Sequence, residues 1–274
     1  MLVNLNAVLP QARKEGKGAG LFNTLNTEMA RGVIRAAEEK NCPVIVGTAE
    51  VLLPFCPLEI AADMLLPMAD RASVPVVVHF DHGLQRSECI RALQLGFSSI
   101  MYDCSASPYD ENMDRVREMA SIAHAYNASI EAELGHVGDN EKNENPASFY
   151  TDPDQAKEFS DYTDIDALAI AVGTAHGAYR FPPKLDFARI RKIASVTDTP
   201  LVLHGGSGLS DDDFRKAIAS GISKVNIFTD INVAYARGAE AELKAGHCAG
   251  TEMMNGLISA VAKETKKKMT LFGW

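Results

Sequence analysis

The stretch VVVHFDHGLQ, residues 76–85, decides how the rest of the chain is read. An unbroken valine run leads straight into His79, Phe80, Asp81, His82 and Gly83. A strand that stays apolar without alternation is one covered on both faces, as in a parallel sheet flanked by helices. Parallel α/β folds gather their chemistry at the carboxyl ends of such strands. The stretch therefore reads as a buried strand that delivers two histidines and an aspartate to a site.

Seven further runs of the same kind surround it: GLFN at 20–23, PVIVGTA at 43–49, SSIMYDC at 98–104, SIEAEL at 129–134, ALAIAVG at 167–173, PLVLHG at 200–205 and KVNIF at 224–228. Helical patterns separate them. Residues 27–39 place Met29, Val33, Ile34 and Ala37 at three- and four-residue steps, the spacing of one helix face. Residues 87–95 and 111–125 follow the third and fourth strands. Ser210 followed by three aspartates reads as a capped helix start, with Gly221 as its stop. Eight strands each followed by a helix, with no linker-like break, predict one (β/α)8 barrel, the TIM barrel, over residues 1–274. A doubly wound open sheet is the alternative. Residues before Gly20 supply an extra helix for the barrel bottom, and residues 252–268 a terminal one. Leu271, Phe272 and Trp274 beyond it serve either a subunit contact or packing on the barrel.

The 274 residues carry 27 Lys and Arg against 36 Asp and Glu, a net charge of -9, with a pI near 5.3. That balance argues against a nucleic-acid partner. Five cysteines without CxxC spacing speak against a disulfide framework and for a reducing compartment. No apolar run reaches the roughly 18 residues of a membrane span, and the N-terminus has no signal-peptide core. A cytoplasmic protein is the expectation.

Polar residues at the strand ends sort the histidines. His79, Asp81 and His82 end the third strand, Asp103 the fourth, Glu133 and His136 the fifth. His176 follows the sixth, His204 ends the seventh, and Asn226 and Thr229 close the eighth. Asn23 and Thr48 end the first two. His124 and His247 fall on helical segments and have no such claim. Catalytic zinc takes three protein ligands and leaves a position open. His82, His176 and His204, each followed by glycine, can form that set; His79 is the rival ligand, sharing a strand face with Asp81. The turn HGGSG, residues 204–208, offers backbone N–H groups where barrels bind phosphate. Arg180 supplies a cation that could reach the same anion. A plain tight turn is the competing reading of that segment.

In order along the chain, HFDHG, SSIMYDCS, EAELGHVG, YTDP, VGTAHGAY, PKLDF, LHGGSG and KVNIFTD make it resemble the class II, metal-dependent ketose-bisphosphate aldolases of the fructose and tagatose type. The resemblance spans nearly the whole length. It implies reversible cleavage of a ketose 1,6-bisphosphate to dihydroxyacetone phosphate and glyceraldehyde 3-phosphate. It implies Zn2+ on His82, His176 and His204, with Asp81 as the acid/base at the C4 hydroxyl. Asp103 and Glu133 correspond to acidic residues around the metal. Gly177, Gly205, Gly206, Ser207, Asn226, Ile227, Phe228 and Thr229 match the segments that bind dihydroxyacetone phosphate. Carbonyls near His176 and His204 match a monovalent-cation site for Na+ or K+. The loop after the fifth strand carries the second base, placed at Glu141 with Glu144 as the alternative. Homodimers or homotetramers are implied, and no Schiff-base lysine; Lys184 and Lys224 read as structural or anion-pairing.

Three departures from the family pattern stand out: Asp139 and Lys142 flank Glu141, Phe228 stands where relatives carry a small or polar residue, and RFPPK occupies 180–184. Phe228 and the RFPPK stretch motivate the alternative of a same-family aldolase for a ketose with one phosphate or none. A non-catalytic sugar-phosphate-binding barrel is a further alternative. A zinc hydrolase on this barrel would need a further metal-ligating aspartate late in the chain, and the candidate Asp230 lies beside the phosphate segment.

Overall fold

A computed structural model describes residues 1–137, 150–175 and 183–274. Its centre is a ring of eight parallel strands: β2 (Ala19–Asn23), β3 (Val44–Ala49), β4 (Val76–Gly83), β5 (Ser99–Tyr102), β6 (Ser129–Leu134), β7 (Ala167–Ile170), β8 (Leu201–Leu203) and β9 (Ile222–Ile227). Each strand pairs with its sequence neighbour, and β9 returns to β2 with Ala19 opposite Lys224 and Phe22 opposite Ile227. That last pairing closes the sheet and removes the open-sheet alternative. A two-residue strand not expected from sequence, β1 (Leu2–Val3), pairs with the start of β4.

Helices α2 (Thr27–Lys40), α3 (Leu58–Arg71), α4 (Arg86–Leu95), α5 (Tyr109–Ala125), α6 (Pro153–Thr163), α7 (Phe187–Val196), α8 (Asp211–Ala219) and α9 (Thr229–Lys244) follow the eight ring strands in turn. Their starts obey local chemistry. The Asn26 side chain accepts from the Met29 N–H, and Ser210 forms a reciprocal capping box with Asp213, each satisfying helix donors that lack a backbone partner. His247, expected on a helix, lies in the turn between α9 and α10 (Gly250–Leu271). Gly246, in the left-handed region at φ 90°, and the residues after it stop α9 short of that histidine.

Strand parity separates two environments. Phe22, Val44, Val46, Val76, Val78, Phe80, Ile130 and Leu168 face outward and pack with the helices in the main core. Leu21, Ile45, Val77, Met101, Ala169 and Val202 face inward and form a second, smaller core with Leu5, Val8 and Leu9. Leu9 opens the short helix α1 (Leu9–Glu15), the expected bottom plug. The terminal helix α10 lies on α2 and α9. A Cβ at Gly32 of α2 would stand 2.8 Å from Val261 Cβ, so only glycine admits this approach. The chain end packs on the barrel: Phe272 is fully buried against Phe214 at 5.5 Å, and Trp274 Nε1 donates to the Gly18 carbonyl at 2.8 Å.

Candidate active site at the barrel mouth

Above the inner apolar core, the inward positions turn polar: Asn23, His79, Asp81, Glu131, Glu133, His204, Lys224 and Asn226, all buried. A regular β4 would point His79 and Asp81 inward and His82 outward. Instead β4 and β5 slip register, with Phe80 opposite Ile100 and Gly83 opposite Tyr102. Three steps on one strand match two on the other, which is a β-bulge. His82 sits there at φ 43°, in the left-handed region a residue with a Cβ seldom occupies. The bulge brings His82 to the mouth beside Asp81.

His82 Nε2 stands 2.6 Å from His204 Nδ1, and the two rings meet edge to face. His82 Nδ1 lies 2.9 Å from Asp103 Oδ2, and His204 Nε2 lies 2.8 Å from Glu131 Oε1. Asp81 accepts from Asn23 Nδ2 at 2.8 Å on one oxygen and from Asn226 Nδ2 at 3.0 Å on the other. Glu133 Oε1 accepts from the Val137 N–H at 2.8 Å. Its Oε2 is buried without a hydrogen-bond partner among the described residues, 3.9 Å from His204 Nδ1.

Charges follow from these neighbours. Burial opposes ionisation of Asp81, yet the His82 and His204 rings and Lys224 hold its carboxyl well below the usual range. Burial likewise opposes charging His82, but the carboxylates of Asp81 and Asp103 push it up to about 10. Glu133 is pushed up to about 8 by burial and by the Asp103 carboxylate. Burial, aided by Lys224, lowers His79 to about 3. His79 is therefore neutral, with Nδ1 2.7 Å from Ser99 Oγ.

These residues fit a divalent metal. One ligand atom each from Asp81, His82 and His204 lies within 4.8 Å of the others, as does a set from His82, Asp103 and Glu133. Two ring nitrogens facing at 2.6 Å have room for a single proton between them, and the unpartnered Glu133 oxygen aims at the same region. Imidazole and carboxylate donors match zinc and its first-row neighbours.

The mouth also holds the glycine turn after β8. Gly205 adopts φ 64°, and a Cβ there would lie 2.4 Å from the Ala175 carbonyl oxygen, so the loops after β7 and β8 touch backbone to backbone. Ser207 Oγ accepts from the N–H groups of Phe228 and Asp230 at 3.3 and 3.4 Å. That places Gly206 and Ser207 against the first turn of α9, where N–H groups and the helix dipole favour an anion. Phe228 is half-buried at that turn. Asp230 pairs with Lys268 at 2.5 Å.

Residues 3–274 match the family described as "Fructose-bisphosphate aldolase class-II". The chain belongs to the class II fructose-bisphosphate aldolase family. Its members are lyases, generally metal-dependent. The chain is 35% identical to a 6-phospho-5-dehydro-2-deoxy-D-gluconate aldolase from Shouchella clausii, over 99% of this chain and 94% of the relative. It is also 35% identical to a probable fructose-bisphosphate aldolase from Bacillus subtilis, over 89% and 87%. The crystal structure of the YdjI aldolase from Escherichia coli K12 superposes with a TM-score of 0.90 at 34% identity, covering 100% of this chain and 98% of that one.

Against the sequence expectations, Asp81, His82, His204, Asp103, Glu133, Asn23 and Asn226 come together at one mouth. Thr48 shares the parity of the helix-facing Val44 and Val46, and its Oγ1 finds no hydrogen-bond partner among the described residues. His79 lies deeper than His82, bonded to Ser99. Glu141, Glu144, His176, Gly177 and Arg180 lie outside the described residues. Sequence reading passed over Glu131, which shares parity with Glu133 and could have been found by that two-residue step.

Proposed function

We propose that this protein is a zinc-dependent class II aldolase that reversibly cleaves a ketose 1,6-bisphosphate, of the fructose or tagatose type, to dihydroxyacetone phosphate and glyceraldehyde 3-phosphate. The observation that carries the reading is the meeting of His82 and His204 at 2.6 Å beside Asp81. His82, His204 and, by the family pattern, His176 would hold the metal. A zinc ion bound there would stabilise the negative charge that develops on the substrate's carbonyl oxygen as the carbon–carbon bond breaks. Asp81, ionised and held by two amide groups, takes the C4 hydroxyl proton in cleavage and returns it in condensation. Gly177, the Gly205–Ser207 turn and residues 226–229 fix the phosphate, so that binding energy becomes orientation. Glu141, or Glu144, serves as the second proton carrier. A monovalent cation, a single domain over 1–274, a dimer or tetramer and a cytoplasmic location complete the proposal.

A second reading has support in the relatives. Identity to the deoxygluconate-phosphate aldolase, whose name carries one phosphate, equals that to the probable fructose-bisphosphate aldolase. The test is metal analysis of the purified protein coupled to cleavage assays. Fructose and tagatose 1,6-bisphosphates are compared with their monophosphates and with 6-phospho-5-dehydro-2-deoxy-D-gluconate. Zinc near one per chain with kcat/KM highest for a bisphosphate is expected. Preference for a single-phosphate substrate selects the second reading, and a metal-replete protein that cleaves none of them overturns both.

A further inference from the structure

Lys224 lies wholly buried inside the barrel, on the inward face of β9 two residues before Asn226. A buried ammonium is costly unless it is paired and hydrogen-bonded. Its Nζ ion-pairs with Glu131 Oε2 at 2.8 Å and donates to Asn226 Oδ1 at 2.7 Å. An ammonium has donors only, and the consequences run in two directions. With Oδ1 committed, the Asn226 amide must turn Nδ2 toward Asp81, where it is found. With Glu131 kept ionised, its carboxylate can only accept, so His204 Nε2, 2.8 Å from Oε1, carries the hydrogen. His204 then has its lone pair on Nδ1, the nitrogen facing His82. On that tautomer the 3.3 Å approach of Asn226 Nδ2 to His204 Nε2 is a contact between two N–H groups, whereas the opposite tautomer would make it a hydrogen bond.

We infer that Lys224 is a positioning residue: from beneath the site, through Glu131, it fixes the His204 tautomer that offers Nδ1 to a metal, and through Asn226 it orients the amide that holds Asp81. The inference rests on the proposed role of His204 as a metal ligand. Partners that orient a metal-bound imidazole are worth roughly 10–100-fold in metal affinity.

The test uses Lys224→Met, Glu131→Gln and the double variant. Two quantities are measured: zinc affinity by chelator competition, and the His204 tautomer by ¹⁵N NMR of the metal-free protein. The wild type should show hydrogen on Nε2. Each single variant should lose about 10–100-fold in zinc affinity together with that tautomer preference. The double variant should be no weaker than Glu131→Gln alone, because Lys224 acts on His204 through Glu131. A folded Lys224→Met protein with wild-type affinity and tautomer overturns the inference, as do losses that multiply in the double variant. Should Lys224→Met not fold, Glu131→Gln decides: lost affinity with hydrogen moved to Nδ1 supports the inference, and no change in either defeats it. A wild type that holds no zinc would defeat the proposed function, while the metal-free tautomer still reports on Lys224.

Discussion

The lower and upper halves of the barrel interior are built on the same strands with opposite chemistry. Below, Leu21, Ile45, Val77 and Val202 pack with Leu5 and Leu9 as hydrocarbon. Two residues further along those strands stand Asn23, Gly47, His79 and His204. The lower layer contributes by excluding water; the upper layer contains charges whose cost is met by one another, as in Lys224 with Glu131. The difference teaches that strand period, interrupted at the His82 bulge, distributes stability and chemistry: one inward step of about 7 Å changes what a substitution does.

Four experiments test that division. His204→Ala should have the largest effect, removing zinc from the protein and activity with it. The loss should exceed the roughly 100-fold seen when only a metal ligand's partner is removed; retained zinc with retained cleavage, by metal analysis and assay, contradicts it. Asp81→Asn should keep zinc while kcat falls about 10²–10⁴-fold, measured by steady-state kinetics on metal-loaded enzyme. Metal uptake should depend on pH. His82 is held protonated up to about 10 by the Asp81 and Asp103 carboxylates against burial, and Glu133 up to about 8 by burial and Asp103. A metal must displace these protons, so zinc binding at pH 7 should release between about one and two of them. Affinity should fall as pH falls, by at least about tenfold per unit. Calorimetry in buffers of different ionisation enthalpy counts them, and a count of zero contradicts the charge assignment. Leu21→Ala should have the smallest catalytic effect. It should cost about 2–5 kcal/mol of stability in denaturant unfolding and leave kcat/KM of the folded enzyme near wild type.

Much of this was legible in the sequence, because long apolar runs and capped helices are local signals. The eight strands agree with expectation to within a few residues at their ends, and the inward histidines and carboxylates fell at strand ends as anticipated. What escaped depends on pairing between distant segments. The slip between β4 and β5 cannot be seen in VVVHFDHG alone, since it exists only relative to Tyr102. Lys224 read as structural or anion-pairing; its partner is the Glu131 carboxylate, 93 positions away in the chain, which nothing local named. β1 was missed because two residues carry no periodicity. His247 was misassigned because the polar turn around Gly246 interrupts an otherwise continuous helical composition.

One supernumerary residue in β4 has a consequence for how such a chain can change. An ordinary strand shows a cavity every other side chain, so an acid and a neighbouring ligand could never both look in. Here the odd and even positions, Asp81 and His82, are made to share one view. A deletion at this spot would not merely shorten the strand. It would leave only one of Asp81 and His82 facing the mouth, so the proposed proton carrier and the proposed metal ligand stand or fall together.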